Sequence, residues 1–171
     1  MRSSVLLLLM FFLVGVAHGE DAESDSLIRS TVTVFMSALQ TGDGLAASGL
    51  FSSQALDQVE VMLVTVKQNL DRDPESTIRR LNGAGYSVEL EYAEDWETID
   101  YLSATLSLPM MTARYTLYEL EIDSVFVDGR DALVDMVFRT ATGVEIPQQA
   151  VLVYEDDTWK ISNFMGITAF P

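Results

Sequence analysis

The chain has 171 residues and no cysteine. That excludes disulfides, thiolate nucleophiles, thiolate metal sites, thioether-linked haem and a lipid-modified N-terminal cysteine. Histidine is almost as scarce. The one copy, His18, falls in or at the edge of an N-terminal leader, so the domain that follows has no imidazole. Ser-His-Asp catalysis and ordinary zinc hydrolysis are thereby removed. Basic residues are few: 10 Lys and Arg stand against 26 Asp and Glu, a formal net charge of −16. Nucleic acid and anionic membrane surfaces both demand a basic footprint, and this chain has none. A solvated acidic surface, cations or a basic partner remain.

Long apolar runs are also rare, and the one that exists is informative. Met1-Arg2 is a short positive start, and Val5–Ala17 is an unbroken apolar run. Ala17-His18-Gly19 places small residues at the −3 and −1 positions of a cleavage site, and Glu20–Asp25 is acidic. This is the three-part pattern of a secretory signal peptide. The run is too short for a bilayer span, which takes about 20 apolar residues. The expectation is a signal peptide over 1–19, cut after Ala17 or Gly19, and a single domain over 20–171 that works in a periplasm or outside the cell.

Apolar spacing then organises the chain. Leu27, Ile28, Thr31, Val34, Phe35, Ala38 and Leu39 recur at helical intervals. They predict a helix over 26–40, capped by Ser24 or Asp25 and stopped at Gly42. A short helix over 45–51 and a longer one over 56–70 follow, the latter with Val59, Met62, Leu63, Val66 and Leu70 on one face. Pro74 breaks it and starts a further turn through Leu81. Tyr86, Val88, Leu90 and Tyr92 alternate with polar residues and predict a strand. Residues 94–108 return to helical spacing until Pro109. The last third predicts a meander. Tyr118, Leu120, Ile122 and Phe126 mark one inner face, and Ala132, Val134, Met136 and Phe138 the next, across an Asp128-Gly129 turn. Strands over 150–154 and 159–164 close it around Glu155–Thr158. Five strands joined mostly by tight turns give an antiparallel sheet and an α+β fold.

Three segments carry a resemblance. Val34–Asp43 pairs an apolar helix with a Gly-Asp turn; Val125–Val134 is a hairpin centred on Asp128-Gly129; Val151–Ile161 closes with Trp-Lys-Ile after an acidic turn. In this order they resemble the nuclear transport factor 2-like (cystatin-like cone) superfamily. The resemblance implies N-terminal helices packed in a strongly curved antiparallel sheet with an apolar, cone-like interior. Some members are enzymes, ketosteroid isomerase and polyketide cyclases among them, and use an Asp, Tyr or His inside the cone. A carboxyl and a phenol in an apolar pocket can move protons on a carbonyl substrate.

The raw material for that chemistry is Tyr86, Tyr92, Tyr101, Tyr115, Tyr118 and Tyr154 with Asp95, Asp100 and Asp135. Asp135, Asp100 and Tyr101 are the catalytic candidates. Alternation puts Asp135 on the face opposite Val134 and Met136, beside Arg139, which can neutralise it. Phe35, Tyr86, Trp96, Tyr118, Met136 and Trp159 are the candidate ligand-pocket residues, with Trp159 foremost a core anchor. Asp71, Asp73 and Glu75 alternate as calcium ligands can, but Ser76 stands where the EF-hand pattern needs glycine and no Glu follows at Asn82. No metal and no cofactor is expected. Two acidic bands, Glu89–Asp100 and Glu119–Asp123, suit solvation or a basic partner. The preferred reading is a non-catalytic module binding a small apolar ligand or a protein partner. Alternatives are an isomerase or dehydratase using Asp and Tyr, and a dimerisation domain.

Overall fold

In the computed structural model, the structure describes the backbone of residues 4–164 and the side chains of residues 22–164. Seven helices precede a four-stranded antiparallel sheet among these residues. The cleavage expectation for residues 1–19 lies outside the described side chains, and the backbone from Ser4 already belongs to α1 (Ser4–Thr41). Neither Ser24 nor Asp25 caps a helix. Asp25 instead pairs with Arg29 one turn on, at 2.7 Å.

The buried stripe of α1 is Ile28, Val32, Phe35, Met36 and Leu39. The predicted stripe was rotated by part of a turn, because Leu27 and Val34 are about half exposed. Val32 and Met36 take their place at the i, i+4, i+8 positions of one helix face. Gly42 ends the helix at φ 73°, the left-handed conformation that glycine adopts without steric cost. Next come α2 (Gly44–Ser48), α3 (Ser53–Arg72) and α4 (Pro74–Ala84). Ser52 caps α3 through Ala55 N, and Asp73 caps α4 through Ser76 N, with Pro74 in the first turn.

Residues 86–92 are not a strand. Ser87 has φ 53°, which breaks an extended run. The Asn82 side chain donates to Val88 O and accepts from Val88 N, at 3.0 and 2.7 Å. Those are the groups a neighbouring strand would have used, and they are satisfied locally. Residues 90–95 form helix α5 (Leu90–Asp95). The helix expected over 94–108 is interrupted at Trp96-Glu97 and resumes as α6 (Thr98–Leu106). Pro109 does more than end it: proline fits a first helical turn, and α7 (Pro109–Tyr115) begins there.

The sheet has four strands in sequence order: β1 (Tyr118–Asp128), β2 (Asp131–Thr140), β3 (Glu145–Glu155) and β4 (Thr158–Phe164). On β2, Ala132, Val134, Met136 and Phe138 are all buried, as their alternation requires. On β1 the alternation changes phase. Register slips between Ile122 and Ser124, leaving Asp123 as an extra residue. Each side chain beyond the bulge therefore changes face. Phe126, expected inside, is 66 % exposed, while Val125 and Val127 pack against the core. The β3–β4 hairpin turns through Asp156 and Asp157, both at positive φ (49° and 60°), a combination suited to a two-residue hairpin loop.

Each sheet edge is covered over part of its length. Along β1, Arg29 donates to Ile122 O and Gln40 to Tyr118 O. Along β4, Ile161 exchanges backbone hydrogen bonds with Leu50 and Ser52. Such cover blunts an edge against further strand pairing. The core lies between α1 and the inner sheet face. Phe35 meets Phe164 and Phe51 edge-on, at centroid distances of 4.7 and 5.3 Å, and Tyr118 stacks on Phe138 at 5.3 Å.

Candidate functional site

The inner face of the sheet is occupied by the protein's own side chains. Phe35, Phe138, Phe164, Val134, Leu152 and Ile161 have no solvent-accessible surface, which leaves no water-sized space against any of them. Three of the proposed ligand-pocket residues, Phe35, Met136 and Trp159, are buried within this packing. Tyr118 lies at its margin, stacked on Phe138, and also borders a groove of about 510 Å³ between α1 and β1. Tyr86 and Trp96 sit elsewhere, in an aromatic group with Tyr101. The six residues therefore do not line one space.

The catalytic candidates do not converge either. Asp100 is exposed at the start of α6, where its carboxylate accepts from Glu97 N at 3.0 Å. It acts as a helix-start partner. Its neighbour Tyr101 is buried and stacked on Tyr86 with ring planes 4° apart. Burial, then the adjacent Tyr86, pushes the Tyr101 phenol well above its ordinary range. Burial likewise raises Tyr115. Asp135 is on the opposite side of the sheet from the core. Among the described residues the buried polar side chains outside the tyrosines are Ser48, Ser52, Thr77 and Thr105, so no carboxylate is buried beside a phenol. No buried side-chain nitrogen or oxygen there lacks a hydrogen-bond partner.

Asp135 is nevertheless part of an organised surface. Cross-strand register places Ser124, Asp135 and Gln149 in one row on the outer face. Ser124 Oγ donates to one carboxylate oxygen at 3.0 Å and Gln149 Nε2 to the other at 2.8 Å. The Gln149 amide first, then the Ser124 hydroxyl, hold the carboxyl below its ordinary value. The row sits in a groove of about 810 Å³ that also takes in Asp123, Pro147, Val151 and Asn163. Next to it runs an apolar row, Phe126, Leu133 and Val151. Arg139 does not neutralise Asp135 as expected. It binds Glu121 and Glu145, both at 2.9 Å, because Glu145 is its direct cross-strand partner and Glu121 lies diagonally across β1. No cation therefore faces the Asp135 carboxylate in the described residues.

Alternation gave the outward direction of Asp135 but not its partners Ser124 and Gln149. The only signal was a carboxylate flanked on both sides by apolar residues, Leu133-Val134 and Met136-Val137, since its cross-strand neighbours depend on a register set by the bulge. The asymmetry predicts a pH effect. A carboxyl whose folded-state pKa is depressed stabilises the fold above its unfolded-state value, and that contribution is lost as pH falls through the folded-state value. Asp135→Asn is expected to be less stable than the parent at neutral pH. The gap should close under acid, as read from urea midpoints across a pH series.

The described residues contain no group of three or more His, Cys, Asp or Glu side chains able to hold a metal ion. The Asp71, Asp73 and Glu75 stretch spans a helix end and a helix start, with Asp73 spent on its cap. No described helix is long and apolar enough to cross a membrane.

No protein family's sequence profile matches the chain. A comparison with curated proteins gives no significant match. Among solved structures it is similar to a Campylobacter jejuni protein provisionally described as an NTF2-like transpeptidase. Identity is 13 %, covering 53 % of this chain and 98 % of that one, with a TM-score of 0.34. The likeness concerns the fold alone.

Proposed function

We propose that this chain is an exported, non-catalytic binding module whose outer sheet face receives a basic protein partner. The observation that carries this is the contrast between the two faces of one sheet. The inner face is filled by its own aromatics, which leaves little room for a small apolar ligand. The outer face offers a groove, an exposed Phe126 and a carboxylate held in place without a counter-charge. An aromatic beside a positioned polar group is the usual make-up of an interface centre. The surrounding charge selects the partner. Glu119, Glu121, Asp128, Asp131 and Glu145 share this face, with Arg139 already engaged. Two copies meeting through it would bring like charges together, whereas a basic surface would be attracted.

Native mass spectrometry of the protein recovered from its exporting cells tests the reading. The expected result is a species carrying a second, basic polypeptide and no small molecule. A stoichiometric apolar small molecule, freed only on unfolding, would overturn it.

A further inference from the structure

We infer that a second groove, between α3 and the α5–α6 junction, is a docking site for a basic amphipathic helix of another protein. The groove measures about 490 Å³. One wall is a stripe along α3: Leu56, Glu60, Leu63, Val64 and Lys67. Their spacing puts them on one helix face over three turns, about 16 Å of helix length. The other wall is Trp96, Glu97 and Ile99. A trough of this length between two helical segments suits an incoming helix with apolar residues every three or four positions.

Three features give the trough the character of an interface. First, its anchor is rigid. The Trp96 ring is partly buried and backed by Tyr101 at 5.7 Å and Tyr86 at 5.8 Å, and the Tyr86 hydroxyl is tied to Thr105 at 3.0 Å. A tryptophan held in place loses little freedom on binding. Second, Val64 is 46 % exposed beside it, so apolar surface remains uncovered. Third, Glu60 and Glu97 line the groove, and the two residues that precede Trp96, Glu94 and Asp95, are acidic as well. Glu60, Glu94 and Asp95 make no ion pair or side-chain hydrogen bond among the described residues, and Lys67 is the only cation lining the groove there. Glu89 and Glu91 extend the same charge along the exposed α5 segment. The net negative charge disfavours a second copy of this acidic chain and favours a basic helix. This site is separate from the outer sheet face and does not depend on that face being used.

The probe is a blocked 14-residue helix of leucine and lysine, with leucine at i, i+3 and i+4 positions, labelled for fluorescence anisotropy. It is titrated into the protein as the cell exports it. The leucine–lysine helix is expected to bind and to shift Trp96 emission to shorter wavelength, while the leucine–glutamate counterpart does neither. Trp96→Phe retains Trp159 and should lose the emission shift. Glu60→Lys with Glu97→Lys should weaken binding about tenfold, equivalent to roughly 1.4 kcal/mol. Glu23→Lys with Glu75→Lys, an equal change of charge away from the groove, should leave binding within about twofold. Equal weakening by both pairs, or binding without a Trp96 shift, would overturn the assignment.

Discussion

Phe35→Ala is expected to lower the unfolding free energy by about 4 kcal/mol, the range found for emptying a buried aromatic site. Phe35 has no accessible surface and is gripped edge-on by Phe51 from one side and Phe164 from the other. The residue joins the last described residue of β4 to α1 and to the segment before α3. Those neighbours belong to separate elements, so closing the cavity would take a shift of more than one of them. The edge-to-face contacts add to the loss from area alone. For a domain of this size the change corresponds to roughly 8–16 °C in Tm. Thermal and urea unfolding should both report it. A loss under about 1 kcal/mol would show that the space between helix and sheet is not filled.

Gly44→Ala is expected to cost about 3 kcal/mol or more, for a different reason. A Cβ at Gly44 would overlap the Ser103 carbonyl oxygen and the Ser107 hydroxyl. The backbone of α2 lies directly on α6 here, and Gly44 N donates to Ser107 Oγ at 3.1 Å. Overpacking of this kind cannot be relieved by a rotamer change, since one obstacle is backbone. Adding Ser107→Ala should restore only part of the loss, because the Ser103 carbonyl remains. Gly83→Ala is the contrast. That glycine is in α4 with nothing near its missing Cβ, and alanine should stabilise by about 0.5–1 kcal/mol. Full recovery by Ser107→Ala, measured by urea unfolding, would contradict the close approach of the two helices.

How much of this was legible depended on whether local rules acted alone. The β2 inner face could be read directly, because Ala132, Val134, Met136 and Phe138 alternate without interruption and are all buried. The stop of α1 at Gly42 follows the same short-range logic, whereas the caps at Ser52 and Asp73 went unnamed and the expected caps, Ser24 and Asp25, lie inside α1. Phe126 was misplaced because one extra residue, Asp123, reverses the phase of a strand, and no composition signal marks it. The segment 86–92 had the period of a strand but no neighbour to pair with, and Asn82 took up its backbone groups. The outer direction of Asp135 followed from alternation, whereas its partners Ser124 and Gln149 required the register of three strands. The Trp96 groove was hidden for a similar reason: its walls are about 30 residues apart in sequence and meet only through packing.

The most direct measurement is site-specific photo-cross-linking in the exporting cells. A benzoylphenylalanine is placed at Phe126 or Val151 on the outer sheet face, and at Leu45 as an exposed apolar control elsewhere. A discrete protein adduct is expected from Phe126 and Val151 and none from Leu45, with the Phe126 adduct weakened by Asp135→Asn. Adducts of equal yield from all three positions, or from Leu45 alone, would contradict a binding role for the outer sheet face.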